Sequence, residues 1–284
     1  MTKIIDGLAT REKMLLEYKA EIEANNYKPK LVVILVGENK ASKVYVKNKV
    51  KVCKQIGIES EVILYDETIS EDLLLSKIQE LNNDPSVNGI LVQLPLPQSF
   101  DEENVLYSIL PEKDVDCFNP SNMGKLFLGN KRFRPCTPYG IITLLEEYNV
   151  DLTGKNVCIL GRSNIVGKPM AILALERNAT VTVCHSKTEN LKSITSQADI
   201  LIVAIGKAHF ITKEYVKEGA VVIDVGIHRM DNGKLCGDVV FDDVYDVASM
   251  ITPVPGGVGP MTIAILMKNC LKAYRIQNTN NEVK

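Results

Sequence analysis

The segment ASKVYVKNKVKVCKQI, residues 41 to 56, contains three side chains that can bind a polar substrate and move protons. They are Ser42, Tyr45 and Lys49, spaced i, i+3, i+7. A helix turns by about 100° per residue, so this spacing places a hydroxyl, a phenol and an amine on one face. The pattern therefore predicts a helix with one chemically active face.

The same periodicity separates Lys49 from the other lysines of the segment. The other four lysines lie within an arc of about 80°, which is typical of a solvated stripe: Lys43, Lys47, Lys51 and Lys54. Lys49 instead falls in the arc that also holds Val46 and Cys53 and that should face the protein. Such a lysine either extends its amine to water or lies in a functional cleft, and the helix alone favours neither.

Two other segments could complete a cleft around that amine. LVQLPLP, residues 91 to 97, ends a predicted strand in a proline-rich turn and places Gln93 at the carboxyl edge of a sheet, where α/β proteins bind ligands. KDVDCF, residues 113 to 118, offers Asp114 and Asp116 either as turn residues or as ligands. A metal site there is disfavoured because no third ligand is evident.

Short apolar strands alternate with amphipathic helices, which predicts parallel sheets covered on both faces and an α/β fold. The predicted strands are LVVILVG (31 to 37), EVILY (61 to 65), GILVQL (89 to 94), NVCILG (156 to 161), TVTVC (180 to 184), DILIVAIG (199 to 206) and AVVIDVG (220 to 226). Predicted helices include residues 41 to 56, 71 to 83 and 168 to 178.

The length of 284 residues favours two domains. The stretch 111 to 138 is rich in turn formers and poor in periodic pattern, so we place one domain at residues 1 to 137 and a second, Rossmann-like domain at 138 to 262. TPVPGGVGPMT, 252 to 262, is either a stiff turn or a backbone shaped for close approach. The helix 263 to 284 is expected to return to the first domain.

The composition disfavours several classes of protein. A net charge of −2 argues against a general nucleic-acid binder, which needs a basic surface. Seven dispersed cysteines without a CxxC pair indicate reduced thiols. No segment has the length and apolar character of a signal peptide or a membrane span, so we expect a cytoplasmic protein without a membrane partner.

The second domain opens with a strand that ends at Gly161, a loop that runs to Gly167, and a helix with Pro169 in its first turn. Such a turn aims free backbone N–H groups at an anion and predicts a dinucleotide site. The spacing GxxxxxG differs from the usual GxGxxG, so a plain turn stays open as an alternative.

The end of the next strand indicates which dinucleotide this site binds. It runs into His185, Ser186 and Lys187, with no acid to bind a ribose 2′-hydroxyl, and Arg162 lies in the preceding loop. A cation and a hydroxyl suit a 2′-phosphate, which a carboxylate would repel. The predicted cofactor is therefore NADP and not NAD.

Taken together, eight motifs resemble the bifunctional methylenetetrahydrofolate dehydrogenase/cyclohydrolase family: YVKNK, VQLPLP, EKDVD, PCTPYG, GRSNIVGKP, CHSKT, DVGI and TPVPGGVGPMT. The resemblance implies two α/β domains around a cleft, with folate bound by the first and NADP by the second, in a homodimer. It implies oxidation of 5,10-methylenetetrahydrofolate to the 5,10-methenyl cation, then hydrolysis to 10-formyltetrahydrofolate. These reactions belong to one-carbon metabolism and purine biosynthesis.

The resemblance also implies roles for individual residues and no metal. Lys49 matches the catalytic lysine, Gln93 the glutamine beside it, Tyr45 a tyrosine along the folate, and Asp116 the carboxylate that holds the pterin. The implied substrate contacts are Ser42, Tyr45, Gln93, Leu94, Asp116, Pro255 and Gly256. The implied cofactor contacts are Gly161, Arg162, Ser163, Ser186, Ile227 and Thr262.

One departure from the family pattern concerns Cys117, which stands where DVDG has glycine. A positive φ would strain a cysteine and could shift Asp116, whereas a negative φ would make the change mild.

Other functions stay open on the sequence alone. A dehydrogenase of the same fold without the hydrolase step is disfavoured by the presence of Lys49, Gln93 and Asp116, although Cys117 keeps it open. The same nucleotide-binding half could also support a catalytically silent NADP-binding regulator, which the intact catalytic positions disfavour. A serine hydrolase is disfavoured because GRSNIVG is not GxSxG.

Overall fold

The structure is a computed structural model that describes residues 1–130 and 132–279. Up to residue 130 its elements are β1 (Lys3–Ile4), α1 (Gly7–Asn25), β2 (Lys30–Val36), α2 (Lys40–Ile56), β3 (Glu59–Tyr65), α3 (Glu71–Asn83), β4 (Gly89–Val92), α4 (Glu102–Tyr107) and α5 (Pro120–Phe127). From residue 132 they are α6 (Cys136–Glu147), β5 (Asn156–Leu160), α7 (Gly167–Leu175), β6 (Thr180–Cys184), α8 (Leu191–Thr195), β7 (Ile200–Val203), β8 (Val221–Asp224), β9 (His228–Arg229), β10 (Leu235–Cys236), α9 (Phe241–Tyr245), β11 (Met250–Ile251) and α10 (Val258–Thr279).

The predicted α/β class is confirmed. Each predicted strand matches a strand of the structure to within three residues at either end. The strand runs are apolar because both main sheets are parallel, and a parallel sheet has both of its faces covered.

The described chain forms two compact units. The three-stranded unit comprises Met14–Arg134 and the chain from Leu266, and the six-stranded unit comprises Met1–Lys13 and Pro135–Ile265. The domain limits predicted from the sequence stay a prediction, and residues 280–284 of the predicted last helix lie outside the described residues. Within the described ranges, no helix combines the length and the apolar character needed to cross a membrane.

In the three-stranded unit the parallel strand order is β3-β2-β4. The central strand β2 is almost completely buried, and α3 covers the sheet with Leu74, Ile78 and Leu81. The ends of α2 are defined locally: Asn39 Oδ1 accepts a hydrogen bond from the Ser42 N–H at 3.0 Å, and Gly57 ends the helix at φ 89°. These caps set which residues of α2 are helical.

In the six-stranded unit the order is β1-β11-β8-β7-β5-β6, and every pairing is parallel. The order in which successive strands are added reverses between β5 and β7: β6 lies on the outer side of β5, whereas β8 lies on the other side of β7. Ligands of doubly wound sheets bind at such a switch point, beyond the carboxyl ends of the strands.

The turn-rich stretch 111 to 138 contains a helix, α5, that periodicity did not predict. Asn119 accepts the Ser121 N–H at 2.9 Å and Pro120 is the first helical residue, so a cap and an N-terminal proline start the helix. With eight residues, α5 is too short for periodicity to reveal, whereas the dipeptide Asn-Pro was a usable signal.

The backbone at Cys117 has φ 65°, in the left-handed region. Its side chain is buried, so the residue combines favourable burial with a backbone conformation that suits glycine. Of the two possibilities raised by the sequence, the strained one is therefore present.

We expect Cys117→Gly to be more stable than Cys117→Ala by about 1 kcal/mol, although glycine has the smaller side chain. Both variants lose the buried sulfur, but only alanine keeps a Cβ in the left-handed conformation. Urea titrations of the two variants measure the difference in free energy of unfolding. A more stable alanine variant would show that φ carries no strain here.

Candidate active site

The Lys49 amine lies on the buried side of α2. The residue is 6% exposed, whereas the lysines of the predicted stripe are all exposed. The prediction that Lys49 faces the protein is therefore confirmed. Of the two possibilities for an inward lysine, this burial disfavours an amine that extends to water.

The partner of this amine is a neutral amide. Lys49 Nζ donates to Gln93 Oε1 at 3.0 Å, while Gln93 Nε2 donates to the Leu94 carbonyl at 2.7 Å. The second bond fixes which end of the amide faces the lysine, because the donor end is already used. A carboxylate in this place would stabilise the ammonium form, whereas an amide oxygen orients the amine without a full opposing charge.

The sheet determines where Gln93 stands. Its N–H donates to the Ile34 carbonyl at 2.9 Å, which continues the β2–β4 pairing by one residue. Gln93 is therefore anchored by its backbone and by both ends of its side chain. The prediction that it lies at the carboxyl edge of the sheet is confirmed.

Ser42 and Tyr45 share the inward face of α2 with Lys49, at the predicted spacing. Ser42 is buried and Tyr45 is half-buried. Burial raises the pKa of the Tyr45 phenol, so this group keeps its proton and can donate a hydrogen bond. The face thus presents a hydroxyl, a phenol and an amine in one row.

The two acids of KDVDCF have different environments. Asp114 is 2% exposed, and its carboxylate accepts hydrogen bonds from Phe118 N–H at 3.1 Å, Asn119 N–H at 2.8 Å and Asn122 Nδ2 at 2.8 Å. Burial raises the pKa of Asp114 to about 6, against the opposing effect of these hydrogen bonds. Asp114 therefore organises the loop.

Asp116 is half-buried, and its carboxylate accepts no hydrogen bond from the described residues. Burial raises the pKa of the fully buried Cys270 thiol; among the charged groups, Asp116 raises it further and Lys49 lowers it. The Asp116 carboxylate is available to a ligand.

The cysteines around this site are not candidate nucleophiles. Burial raises the pKa of Cys53 to about 12 and also raises that of Cys117, so both remain thiols at neutral pH. Across residues 1–130 and 132–279, no group of three or more His, Cys, Asp or Glu side chains could hold a metal ion.

In the six-stranded unit, the turn after β5 has two glycines that leave no room for a side chain. Gly161 has φ 125°, and a Cβ there would lie 2.2 Å from the Ala204 carbonyl oxygen. A Cβ on Gly167 would lie 2.2 Å from the Gly161 carbonyl oxygen. Such a turn permits close approach of a phosphate to the backbone.

Ser163 lies within this turn, and its hydroxyl serves the helix. Ser163 Oγ accepts the N–H groups of Val166 at 3.2 Å and Gly167 at 3.4 Å, in a local turn that leads into α7. The sequence did not reveal this role, because only the folded turn brings those N–H groups to the hydroxyl. Its contact with a cofactor stays a prediction.

Arg162, Ser186 and Lys187 are exposed, and their side chains have no hydrogen-bond partner among the described residues. Their segments adjoin, because the Gly161 N–H donates to the Cys184 carbonyl at 2.8 Å across the ends of β5 and β6. Two cations and a hydroxyl at one strand edge can bind an anionic group such as a phosphate.

The remaining predicted residues also belong to the six-stranded unit. Ile227 is 42% exposed, and Thr262 Oγ1 lies 3.0 Å from Thr137 Oγ1. Gly256 has φ 112°, and its carbonyl accepts the Leu8 N–H at 3.1 Å; Pro255 before it is exposed. The loop of Pro255 and Gly256 is therefore attached to the start of α1 and presents its proline outward.

Comparison with known proteins places both units in one family. The model of the tetrahydrofolate dehydrogenase/cyclohydrolase catalytic domain matches residues 5–116. The model of the NAD(P)-binding domain of the same enzymes matches residues 135–278.

Whole relatives agree. The chain is 58% identical over 274 residues to the bifunctional protein FolD of Dechloromonas aromatica, with 95% of this chain and 96% of the relative covered. It is similar to a bifunctional FolD methylenetetrahydrofolate dehydrogenase/cyclohydrolase from Campylobacter jejuni, with a TM-score of 0.94, 48% identity, and 97% and 99% of the two chains covered. It is also similar to a Trypanosoma brucei FolD complexed with NADP cofactor and inhibitor, with a TM-score of 0.93 and 35% identity. This match covers 97% of this chain and 98% of the other.

Proposed function

The chain belongs to the tetrahydrofolate dehydrogenase/cyclohydrolase family, and we propose that Lys49, oriented by Gln93, performs the proton transfers of its hydrolysis reaction. The enzyme oxidises 5,10-methylenetetrahydrofolate to 5,10-methenyltetrahydrofolate in an NADP-dependent reaction and then hydrolyses that product to 10-formyltetrahydrofolate. The observation that carries the proposal is the buried Lys49 amine 3.0 Å from a neutral amide oxygen.

The hydrolysis needs a group that moves protons. Water adds its oxygen to the methenyl carbon and loses a proton, and the bond from that carbon to N5 breaks because the product keeps the carbon on N10. One group must therefore take a proton from water and return one to the departing nitrogen. Lys49 is the group proposed for both transfers, because its side chain is buried and Gln93 Oε1 orients its amine at 3.0 Å.

The folate side of the reaction needs orientation. We propose that Tyr45 packs along the substrate, with Ser42 and Leu94 beside it, and that Asp116 binds the pterin through its unpaired carboxylate. For Pro255 and Gly256, contact with the substrate is likewise a proposal. Folate then belongs to the predicted domain of residues 1–137 with the last helix, and NADP to that of 138–262.

The dehydrogenase reaction requires little proton transfer by side chains. NADP supplies the hydride acceptor when bound, and the chain contributes alignment. The turn residues Gly161 and Ser163 fit a pyrophosphate, because the first excludes any Cβ. Ile227 is the proposed contact on the nicotinamide side, and Thr262 is a further proposed cofactor contact. The unpartnered Arg162 and Ser186 fit the 2′-phosphate.

Lys49→Met should lower kcat/KM for hydrolysis of methenyltetrahydrofolate by about 100-fold or more, because it removes the group that moves protons. The dissociation constant of NADP⁺ should not change. Lys51→Met, on the exposed face of the same helix, is the matched control and should remain close to the unsubstituted enzyme. Decay of the methenyl absorbance measures hydrolysis, and an unchanged rate in Lys49→Met would exclude the proposed role.

Arg162→Ala should raise KM for NADP⁺ about 10- to 100-fold, the range expected for loss of a charge-assisted hydrogen bond to phosphate. KM for NAD⁺, which has no 2′-phosphate, should stay the same. Lys168→Ala is the control, because the Lys168 amine contacts Asn164 at 2.7 Å within the same loop. Equal losses with both dinucleotides would contradict phosphate recognition by Arg162.

We also propose that the protein is a homodimer. In support, β6 is the outer strand of its sheet, and the exposed Val183 and Leu175 offer apolar surface beside that open edge. Sedimentation velocity should give about twice the chain mass of 31.4 kDa, and Val183→Lys should reduce the dimer fraction if β6 contributes. A monomer at micromolar concentration would exclude the proposal.

We place the enzyme in the cytoplasm, where its 10-formyltetrahydrofolate would supply purine biosynthesis. The support is chemical: none of the seven cysteines of the described chain forms a disulfide, and six of them are buried. Reduced thiols of this number are typical of a reducing compartment. A disulfide in protein isolated directly from cells would contradict the location.

A further inference from the structure

We propose that Asp114 is a positioning residue for folate, which acts by fixing the carboxylate of Asp116. The proposal rests on the proposed function, in which Asp116 binds the pterin. Asp114 itself is 2% exposed and does not reach a ligand. Its effect on the substrate must therefore pass through the loop.

Asp114 closes the loop on both sides of Asp116. Its backbone carbonyl accepts the Cys117 N–H at 3.2 Å, so residues 114 to 117 form one turn with Asp116 at the third position. The left-handed backbone of Cys117 turns the chain back towards Asp114. The next two N–H groups, of Phe118 and Asn119, donate to the Asp114 carboxylate. The turn and its return are thus attached to one side chain.

A further donor fixes that side chain. Asn122 Nδ2 donates to Asp114 Oδ2 at 2.8 Å and also to the Pro111 carbonyl at 2.8 Å. All three partners of the Asp114 carboxylate are N–H donors, so it acts only as an acceptor. Removing one acceptor oxygen would leave a buried donor unpaired, which is more costly than losing an exposed hydrogen bond.

The backbone before Asp116 is fixed from two other elements. Asn269 Nδ2, on α10, donates to the Val115 carbonyl at 2.8 Å, and the Ile90 N–H, on β4, donates to the Lys113 carbonyl at 2.8 Å. Ile90 lies on β4, and Gln93 directly follows the end of that strand. The placement of Asp116 is therefore tied to the strand that places the partner of Lys49.

This arrangement explains why two acids occur at i and i+2 with such different surroundings. A ligand-binding group is effective only when its position is held within a fraction of an ångström by its supporting contacts. Asp114 provides three of those contacts, to the N–H groups of Cys117, Phe118 and Asn119, and it leaves Asp116 without hydrogen bonds of its own to the described chain.

The test is a double-mutant cycle with Asp114→Asn, Asp116→Asn and the double variant. Asparagine keeps the shape of Asp114 but replaces one acceptor oxygen by an NH2 that faces N–H donors. Asp114→Asn should raise KM for 5,10-methylenetetrahydrofolate about 10-fold and leave KM for NADP⁺ unchanged. The double variant should have the same folate KM as Asp116→Asn, because Asp114 acts only through Asp116.

Each result decides between the claims. If Asp116→Asn leaves the folate KM unchanged, the proposed role of Asp116 is wrong. If Asp116→Asn raises it but Asp114→Asn does not, or if the double variant shows the product of the two single effects, the positioning role of Asp114 is wrong.

Two further variants keep the test decisive. Asn269→Ala releases the Val115 carbonyl from the other side and should raise the folate KM about threefold even if Asp114→Asn fails to fold; no rise would overturn the proposal. Asp224→Asn is the matched control, since this buried carboxylate accepts N–H groups of Gly226, Asp238 and Val239 at 2.9 to 3.0 Å in the six-stranded unit. In hydrolysis without cofactor, Asp224→Asn should leave KM for 5,10-methenyltetrahydrofolate unchanged, whereas Asp114→Asn should raise it. An equal rise in both variants would overturn the positioning role, because loss of either buried carboxylate would then have the same effect.

Discussion

The hydrogen bond between Lys49 Nζ and Gln93 Oε1 is the interaction on which the account depends. A buried amine without a partner would be costly, so its position is determined by the nearest acceptor. That acceptor is itself determined, because the Leu94 and Ile34 carbonyls hold the amide and the backbone of Gln93. The pairing of β2 with β4 therefore sets the position of the Lys49 amine, the proposed proton-transfer group, on a neighbouring helix.

Each unit has a loop that is shaped by local chemistry. In the turn after β5, Gly161 and Gly167 leave no room for side chains, so the backbone is open to close approach. In the loop 113 to 118, the buried Asp114 carboxylate accepts backbone N–H groups, and Asp224 does the same in the six-stranded unit. Burial raises the pKa of each of these two carboxyl groups to about 6, so both are mostly ionised acceptors at neutral pH.

Periodicity and local chemistry were sufficient to predict the strands, the burial of Lys49 and the edge position of Gln93. The different surroundings of Asp114 and Asp116 could not be predicted, because they depend on donors from Phe118, Asn119 and Asn122 that meet only in the folded loop. The hydrogen bonds of the Ser163 hydroxyl within its turn were hidden for the same reason. The sign of φ at Cys117 was equally inaccessible, since a cysteine code does not reveal a conformation that glycine usually adopts.

The central claim is that Lys49 transfers protons, and chemical rescue tests it most directly. Hydrolysis of methenyltetrahydrofolate by Lys49→Ala should increase in proportion to added methylamine, with rates that vary with amine pKa across a series of small primary amines. Tetramethylammonium, which has the charge but no proton to transfer, should have no effect. Equal rescue by tetramethylammonium, or no rescue by any amine while folate still binds, would contradict the account.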